Sequence, residues 1–134
     1  MDWGRRFAEL DGFALLNSRK RDAGSGRYDI ITALPDRCFS VDDFEGNTQA
    51  WMAAVEDALH SPEHPTSRLA LGFLDFETAA NSTLGIPCEP LKPAVAAIYS
   101  WYLLQDHSLQ LAWLVQDPGI APEIAAKVRE RMVP

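Results

Sequence analysis

Ser25-Gly26-Arg27-Tyr28-Asp29-Ile30-Ile31-Thr32-Ala33-Leu34-Pro35 is the stretch on which the reading of this chain turns. From Arg27 the side chains alternate. Tyr28, Ile30, Thr32 and Leu34 fall on one side, and Arg27, Asp29, Ile31 and Ala33 on the other. That two-residue period belongs to a strand. Pro35 lacks a backbone N–H and is expected to end the ladder. Upstream, Phe13-Ala14-Leu15-Leu16-Asn17-Ser18 reads as a second apolar strand. Residues 19–26 between them are charged and glycine-bearing, as a solvated connection is. The pair reads as two antiparallel strands around a polar loop.

Working outward, Asp2 caps a short helix whose Trp3, Phe7 and Leu10 form one stripe, and Gly12 ends it. Beyond Pro35, a short segment from Arg37 to Val41 leads to a helix capped by Asn47 or Thr48. That helix runs to about His60, with Trp51, Met52, Val55, Ala58 and Leu59 as its buried stripe. Pro62 and Pro65 break it. Arg68–Glu77 reads as a central strand, Thr78–Leu84 as a helical turn, and Gly85–Pro93 as a loop. Val95–Gln116 is expected to form a hairpin turning at Asp106-His107-Ser108, and Pro118–Met132 a last helix with Ile120, Ile124, Val128 and Met132 inward. This order predicts an α+β fold, a mainly antiparallel sheet with flanking helices, in a single domain spanning 1–134.

Composition narrows the function classes. An apolar fraction of 47% with 23% charged residues is ordinary for a globular chain of 134 residues, long enough for one core. A formal net charge of −7 argues against nucleic acid or an anionic membrane as partner. The longest apolar run, Ala94 to Leu104, is interrupted by Ser100 and too short to span a bilayer. Met1-Asp2-Trp3-Gly4-Arg5-Arg6 lacks the apolar region of a signal peptide. Cys38 and Cys88 have no second cysteine at redox spacing, so they read as reduced, buried, small side chains of a cytoplasmic protein.

Three stretches carry a resemblance. Leu15-Leu16-Asn17-Ser18 is followed after eight residues by Arg27-Tyr28-Asp29-Ile30-Ile31, with Pro35 four residues further on. Ala70-Leu71-Gly72-Phe73-Leu74-Asp75-Phe76-Glu77 is a glycine-bearing strand. Pro93-Ala94-Val95-Ala96-Ala97-Ile98-Tyr99-Ser100-Trp101 precedes Asp106-His107 and another apolar run. In this order they resemble the N-terminal, non-catalytic part of the anthranilate synthase component I family. Asn17, where anthranilate synthases have glutamate, favours the aminodeoxychorismate synthase branch, which serves 4-aminobenzoate and folate synthesis. The resemblance implies that a chorismate-binding catalytic half and a glutaminase subunit are partners, and that magnesium serves the whole enzyme. It also implies that this chain alone does not aminate chorismate.

The candidate ligand site is Ser18, Arg27 and Tyr28. Ser18 closes the first strand and Arg27 opens the second, so hydroxyl, guanidinium and phenol ring are expected at one sheet end. Such a set suits a free aromatic amino acid, which needs an acceptor for its ammonium, a donor for its carboxylate and an apolar slot. The resemblance implies tryptophan there. A stand-alone aromatic amino-acid module is the alternative function. Another is an unrelated small enzyme using Asp75 and Glu77, which share one side of a strand. His60, Glu63 and His64 have metal-like spacing that Pro62 disrupts. Gly24-Ser25-Gly26 precedes a strand and not the helix a phosphate cradle needs, and Arg19-Lys20-Arg21 is a solvated loop tip. Trp101, Tyr102 and Trp113 form most of an aromatic surface through which the Val95–Gln116 hairpin is expected to meet the catalytic half, or a second copy as a homodimer.

Overall fold

The alternation that begins at Tyr28 does become a strand, but the ladder continues past Pro35. The computed structural model describes residues 2–17, 27–60, 67–73 and 94–134. In chain order it contains α1 (Trp3–Phe7), β1 (Ala14–Leu16), β2 (Tyr28–Thr32), β3 (Arg37–Ser40) and a 3₁₀ turn (Val41–Phe44). There follow α2 (Thr48–Leu59), β4 (Leu69–Phe73), β5 (Val95–Tyr99), β6 (Trp101–Asp106), β7 (Leu111–Gln116) and α3 (Pro122–Met132). The strands form one sheet ordered β1-β2-β6-β7 and another ordered β3-β5-β4, every pairing antiparallel. The architecture is α+β, mainly antiparallel, with flanking helices.

One bent ribbon joins the two sheets. β2 pairs with β6 and β3 with β5, so residues 28–40 run antiparallel to 95–106. From Ile31 to Arg37 is six residues, while their partners Leu103 and Ile98 are five apart. The extra residue makes a bulge, in which Leu34 takes a left-handed φ of 57° and donates its N–H to the Asp11 carbonyl at 2.7 Å. Pairing then resumes, with the Asp36 N–H bonded to the Ile98 carbonyl at 2.8 Å. Pro35 interrupts the ladder without ending it. Leu34 packs with the opposite face from the one its alternation with Tyr28 implied, because the bulge turns it over.

The bulge has a consequence for the layers. Along the partner strand, Ala96 and Ile98 face α2, whereas Trp101 and Leu103 face α1 and α3. Even and odd positions point to opposite sides, so the two cores lie on opposite faces of the ribbon. The first core joins Phe7, Ile31, Ala33, Trp101, Leu103 and Val128; the second joins Val41, Trp51, Val55, Ala58, Ala96 and Ile98. At their junction Thr32 Oγ1 donates to the Trp101 carbonyl at 2.6 Å, and Trp101 Nε1 donates to the Ala33 carbonyl at 2.7 Å. Val95–Gln116 is consequently not one hairpin. Ser100 divides it, β5 belongs to the other sheet, and only β6 and β7 form the hairpin. Among the described residues β4 lies at the edge of its three-stranded sheet and not at its centre.

The starts of α1 and α2 follow their capping signals, but α1 ends at Phe7, with Ala8 as its C-cap, and not at Gly12. Asp2 accepts from the Arg5 N–H and Asn47 from the Ala50 N–H, both at 3.1 Å. Trp51, Val55 and Ala58 are buried as expected, but Met52 is 45% exposed. It sits one residue from Trp51, about 100° around the helix. α3 begins at Pro122 and not Pro118, because residues 117–120 form a turn closed by the Ile120 N–H on the Asp117 carbonyl at 3.0 Å. Its Ile120, Ile124, Val128 and Met132 stripe does face the first core.

A buried polar knot ties the second layer to the first. Asp117 accepts from Ser67 Oγ at 2.6 Å, Arg68 Nη2 at 3.2 Å and the Gly119 N–H at 2.9 Å. Its own N–H bonds to the Ser100 carbonyl at 2.8 Å. Arg68 Nη1 also donates to the Ala58 carbonyl at the end of α2, 3.0 Å away. One carboxylate thus links the ends of β7 and α2, the start of β4 and the bend at Ser100.

Close packing within the second sheet gives one test. A Cβ on Gly72 would run into the Val95 carbonyl oxygen and lie 2.8 Å from the Ala96 Cα. Both are backbone atoms of the paired strand and cannot swing aside. Gly72→Ala is therefore expected to destabilise by about 1–3 kcal/mol, although alanine is the better strand residue. Thermal unfolding checks it, and an unchanged or higher midpoint would contradict this packing.

Candidate functional site

β2 and β6 bring Tyr28 opposite Asp106, and Arg27, Asp29, Asp106 and His107 gather at this end of the first sheet. Arg27 lies against Asp106, with Nε 3.1 Å from both carboxylate oxygens and Nη2 2.8 Å from Oδ2. The carboxylate also accepts the Ser108 N–H at 2.9 Å and the Leu109 N–H at 3.2 Å, which shapes the β6–β7 turn. The hydrogen bonds from Arg27 hold the Asp106 carboxyl below its ordinary range, against the opposing effect of burial. In return the guanidinium is held above its usual value, chiefly by the same bonds.

Tyr28 completes this face. The guanidinium carbon lies 5.0 Å from its ring centroid, within cation–π range. Arg27 remains 39% exposed at its side chain and Tyr28 is 42% exposed. Asp106 takes the Nε–Nη2 edge, which leaves the outer end of the guanidinium as a donor beside an apolar ring. That pair can offer a bond to a carboxylate and a surface to an aromatic ring. Ser18, the third expected member, lies outside the described residues. The structure brings Arg27 and Tyr28 together, and Asp106 is the partner that sequence reading missed. Its only sequence signal was its position in the turn, because the pairing spans 79 residues.

The other face of the same strand end carries a second pair. Asp29 is buried, and its Oδ2 lies 2.9 Å from Nε2 of His107. The Nε2 is itself buried, and the contact is not an aligned hydrogen bond. The His107 backbone is pinned by its N–H on the Arg27 carbonyl at 2.8 Å.

Most of the remaining candidates fall on residues the structure does not describe. Asp75, Glu77, Glu63, His64, Cys88, Gly24-Ser25-Gly26 and Arg19-Lys20-Arg21 lie outside the described residues. Cys38 is free and exposed, not buried, because the register puts it opposite Ala97 on the face turned away from α2. His60 is exposed just beyond α2. Among the described residues no three His, Cys, Asp or Glu side chains converge to hold a metal, so no magnesium position is assigned to them. Among them, too, no helix is long and apolar enough to cross a membrane.

Of the aromatic surface expected on the hairpin, Trp101 is fully buried and Tyr102 half-buried, while Trp113 is 41% exposed. The exposed portion is instead a cross-strand row, Leu16–Ile30–Leu104–Trp113, on the face opposite α1 and α3. No protein-family model matches this chain, and neither curated proteins nor solved structures give a match.

Proposed function

We propose that this chain is a non-catalytic module of the anthranilate synthase component I type, on the aminodeoxychorismate synthase side, that forms one wall of an aromatic amino-acid site. One observation supports the reading above others. The two halves of the first stretch that carries the resemblance, at 15–16 and 28–31, pair as neighbours in one sheet, and the described parts of the other two, 70–73 and 95–98, pair with each other in the second sheet. Arg27 and Tyr28 meet at the end of the first pair with a donor and a ring still exposed. On this reading the chain works in the cytoplasm beside a chorismate-binding half and a glutaminase subunit, and the magnesium-dependent amination belongs to that half. The row from Leu16 to Trp113 is then the surface that half covers.

The site's affinity follows from what one wall supplies. Burying about 100 Å² of indole gives about 2.5 kcal/mol. One or two charge-assisted bonds add about 1.5–3 kcal/mol each, and lost translational freedom cancels much of the sum. Tryptophan is expected to bind with a dissociation constant near ~1 mM. Titrated into isotope-labelled protein, it should move the amide signals of Ser18, Arg27 and Tyr28 together. Ser18→Ala and Tyr28→Ala should each weaken that response several-fold. Arg27 is left intact, since its removal would strand the buried Asp106 without its counter-charge. If the three signals stay still at millimolar tryptophan in folded protein, the chain holds no such wall.

A further inference from the structure

β7 closes one side of the first sheet, and no described strand pairs with its outer edge. Two bonds that extend the ladders fix the hydrogen-bond phase of that edge. Asp117 donates its N–H to the Ser100 carbonyl, and His107 donates its N–H to the Arg27 carbonyl, both at 2.8 Å. In an antiparallel ladder, bonded and non-bonded pairs alternate. Leu111, Trp113 and Val115 therefore bond to Asp106, Leu104 and Tyr102, while Leu103 and Gln105 of β6 bond to β2. The backbone N–H and C=O groups of Ala112, Leu114 and Gln116 point away from the sheet, with no partner among the described residues. We propose that this edge pairs antiparallel with the β7 edge of a second copy of the chain, about a two-fold axis through Leu114.

Edges are normally blunted against such pairing. β1 is three residues long, β3 carries Arg37 close to Pro35, and β4 contains Gly72. β7 runs for six residues without charge, proline or glycine, and no bulge interrupts its register on β6. Its Leu111 and Trp113 are 52% and 41% exposed. Ala112 and Gln116 are exposed too, so neither α1 nor α3 overhangs the edge at those positions.

The spacing selects a second copy as the occupant. The outward residues 112, 114 and 116 are symmetric about Leu114. A two-fold axis normal to the sheet sets Ala112 opposite Gln116 of the partner subunit, and Leu114 opposite its own counterpart. Each such pair exchanges two backbone bonds, so every outward group of both edges is met. An axis through Trp113 would instead set Gln116 opposite the turn residue Gln110, whose φ is a left-handed 54°. On the face away from α1 and α3, Trp113 lies opposite Val115 of the partner subunit, an aromatic–β-branched pair made twice. The small Ala112 leaves room for the long Gln116 across the seam. No charged side chain of β7 meets another, although each chain carries −7.

A seam of one strand pair is smaller than a standard interface of about 1,200–2,000 Å², so a dissociation constant on the order of 100 μM is expected. Sedimentation of the full chain from ~10 μM to ~1 mM should show monomer giving way to dimer. The amides of Ala112, Leu114 and Gln116 should exchange with deuterium more slowly at the higher concentration. Ala112→Pro removes an outward N–H and spares the ladder to β6, which is where an edge tolerates proline. It should weaken association about ten-fold or more in a folded monomer. Ala112→Lys with Gln116→Lys sets like charges opposite each other across the axis and should abolish the dimer. Ala112→Lys with Gln116→Glu sets opposite charges there and should restore it. Within one chain the two positions are about 13 Å apart, so the contrast reports the seam between copies. A chain that stays monomeric to ~1 mM overturns the proposal, as does association that Ala112→Pro leaves unchanged. Equal association of the two charge variants overturns it as well. If Ala112→Pro does not fold, the charge variants decide. Tryptophan binding is read from Ser18, Arg27 and Tyr28 in dilute protein, so either proposal can fail without the other.

Discussion

Replacing Trp101 with alanine is expected to destabilise the chain by about 4 kcal/mol. Trp101 is fully buried, and its ring lies 5.1 Å from that of Phe7 at a tilt of 43°. It fills the space between the ribbon's bend and α1 and α3, in one cluster with Phe7, Ile31, Leu103 and Val128. Truncation also leaves the Ala33 carbonyl without the indole N–H that now meets it at 2.7 Å. Against a typical total of about 5–15 kcal/mol, this is a large share of the stability. Trp101→Phe keeps most of the contact area and loses the hydrogen bond, so about 1–2 kcal/mol is expected. Urea titration measures both. A loss below about 1 kcal/mol in the alanine variant would mean that this cluster does not hold the first layer together.

Asp117→Ala has the second large effect, and its cause is electrostatic. The carboxylate is buried and neutralises Arg68 while accepting from Ser67 and Gly119. Removing it leaves a half-buried guanidinium and a buried hydroxyl without their acceptor, at a cost of about 3 kcal/mol. For a chain of this size that corresponds to a fall of about 10 °C in the unfolding midpoint. Asp117→Asn keeps the shape and one acceptor, and should cost about half as much.

The pH dependence follows with a definite sign. Burial raises the Asp117 carboxyl, but the bonds from Ser67, Arg68 and Gly119 outweigh it and hold the group below its ordinary 3.8. Asp106 is held below 3.8 as well, first by Arg27. A carboxyl lower in the folded than in the unfolded chain contributes stability above the unfolded value. That contribution is lost as pH falls through the folded value. Both groups thus place acid destabilisation below about pH 4, and Asp117→Asn should flatten the curve there. Asp36, raised by burial, works with the opposite sign: its share is present at low pH and lost as pH rises through its folded value.

The sequence carried the elements better than their connections. The stripes of α2 and α3 and the alternation from Arg27 to Ala33 were legible, because each is a local period set by burial. The bulge was not. A left-handed residue is usually announced by glycine, and here leucine holds it, kept in place by its N–H bond to Asp11 and by packing. The division at Ser100 was hidden for a related reason. Residues 94–104 are apolar on both sides, one side serving each core, so no period marks where β5 ends. In the candidate site, Arg27 and Tyr28 were visible as neighbours in sequence. Asp106 and the Asp29–His107 pair required the register of β2 on β6, which a single sequence does not reveal.

Leu34 sets the phase of everything that follows it in the ribbon. Before it, odd-numbered side chains face α1 and α3; after it, Phe39 faces α2 and Cys38 the other side. A substitution at Leu34 changes one side chain and strains one backbone position. A deletion there would put each following residue of β3 on the wrong side, with Cys38 driven against α2 and Phe39 out of it. For this segment the length of the chain is a stricter specification than its letters. In a library of variants, gaps between Thr32 and Arg37 should vanish long before most replacements do.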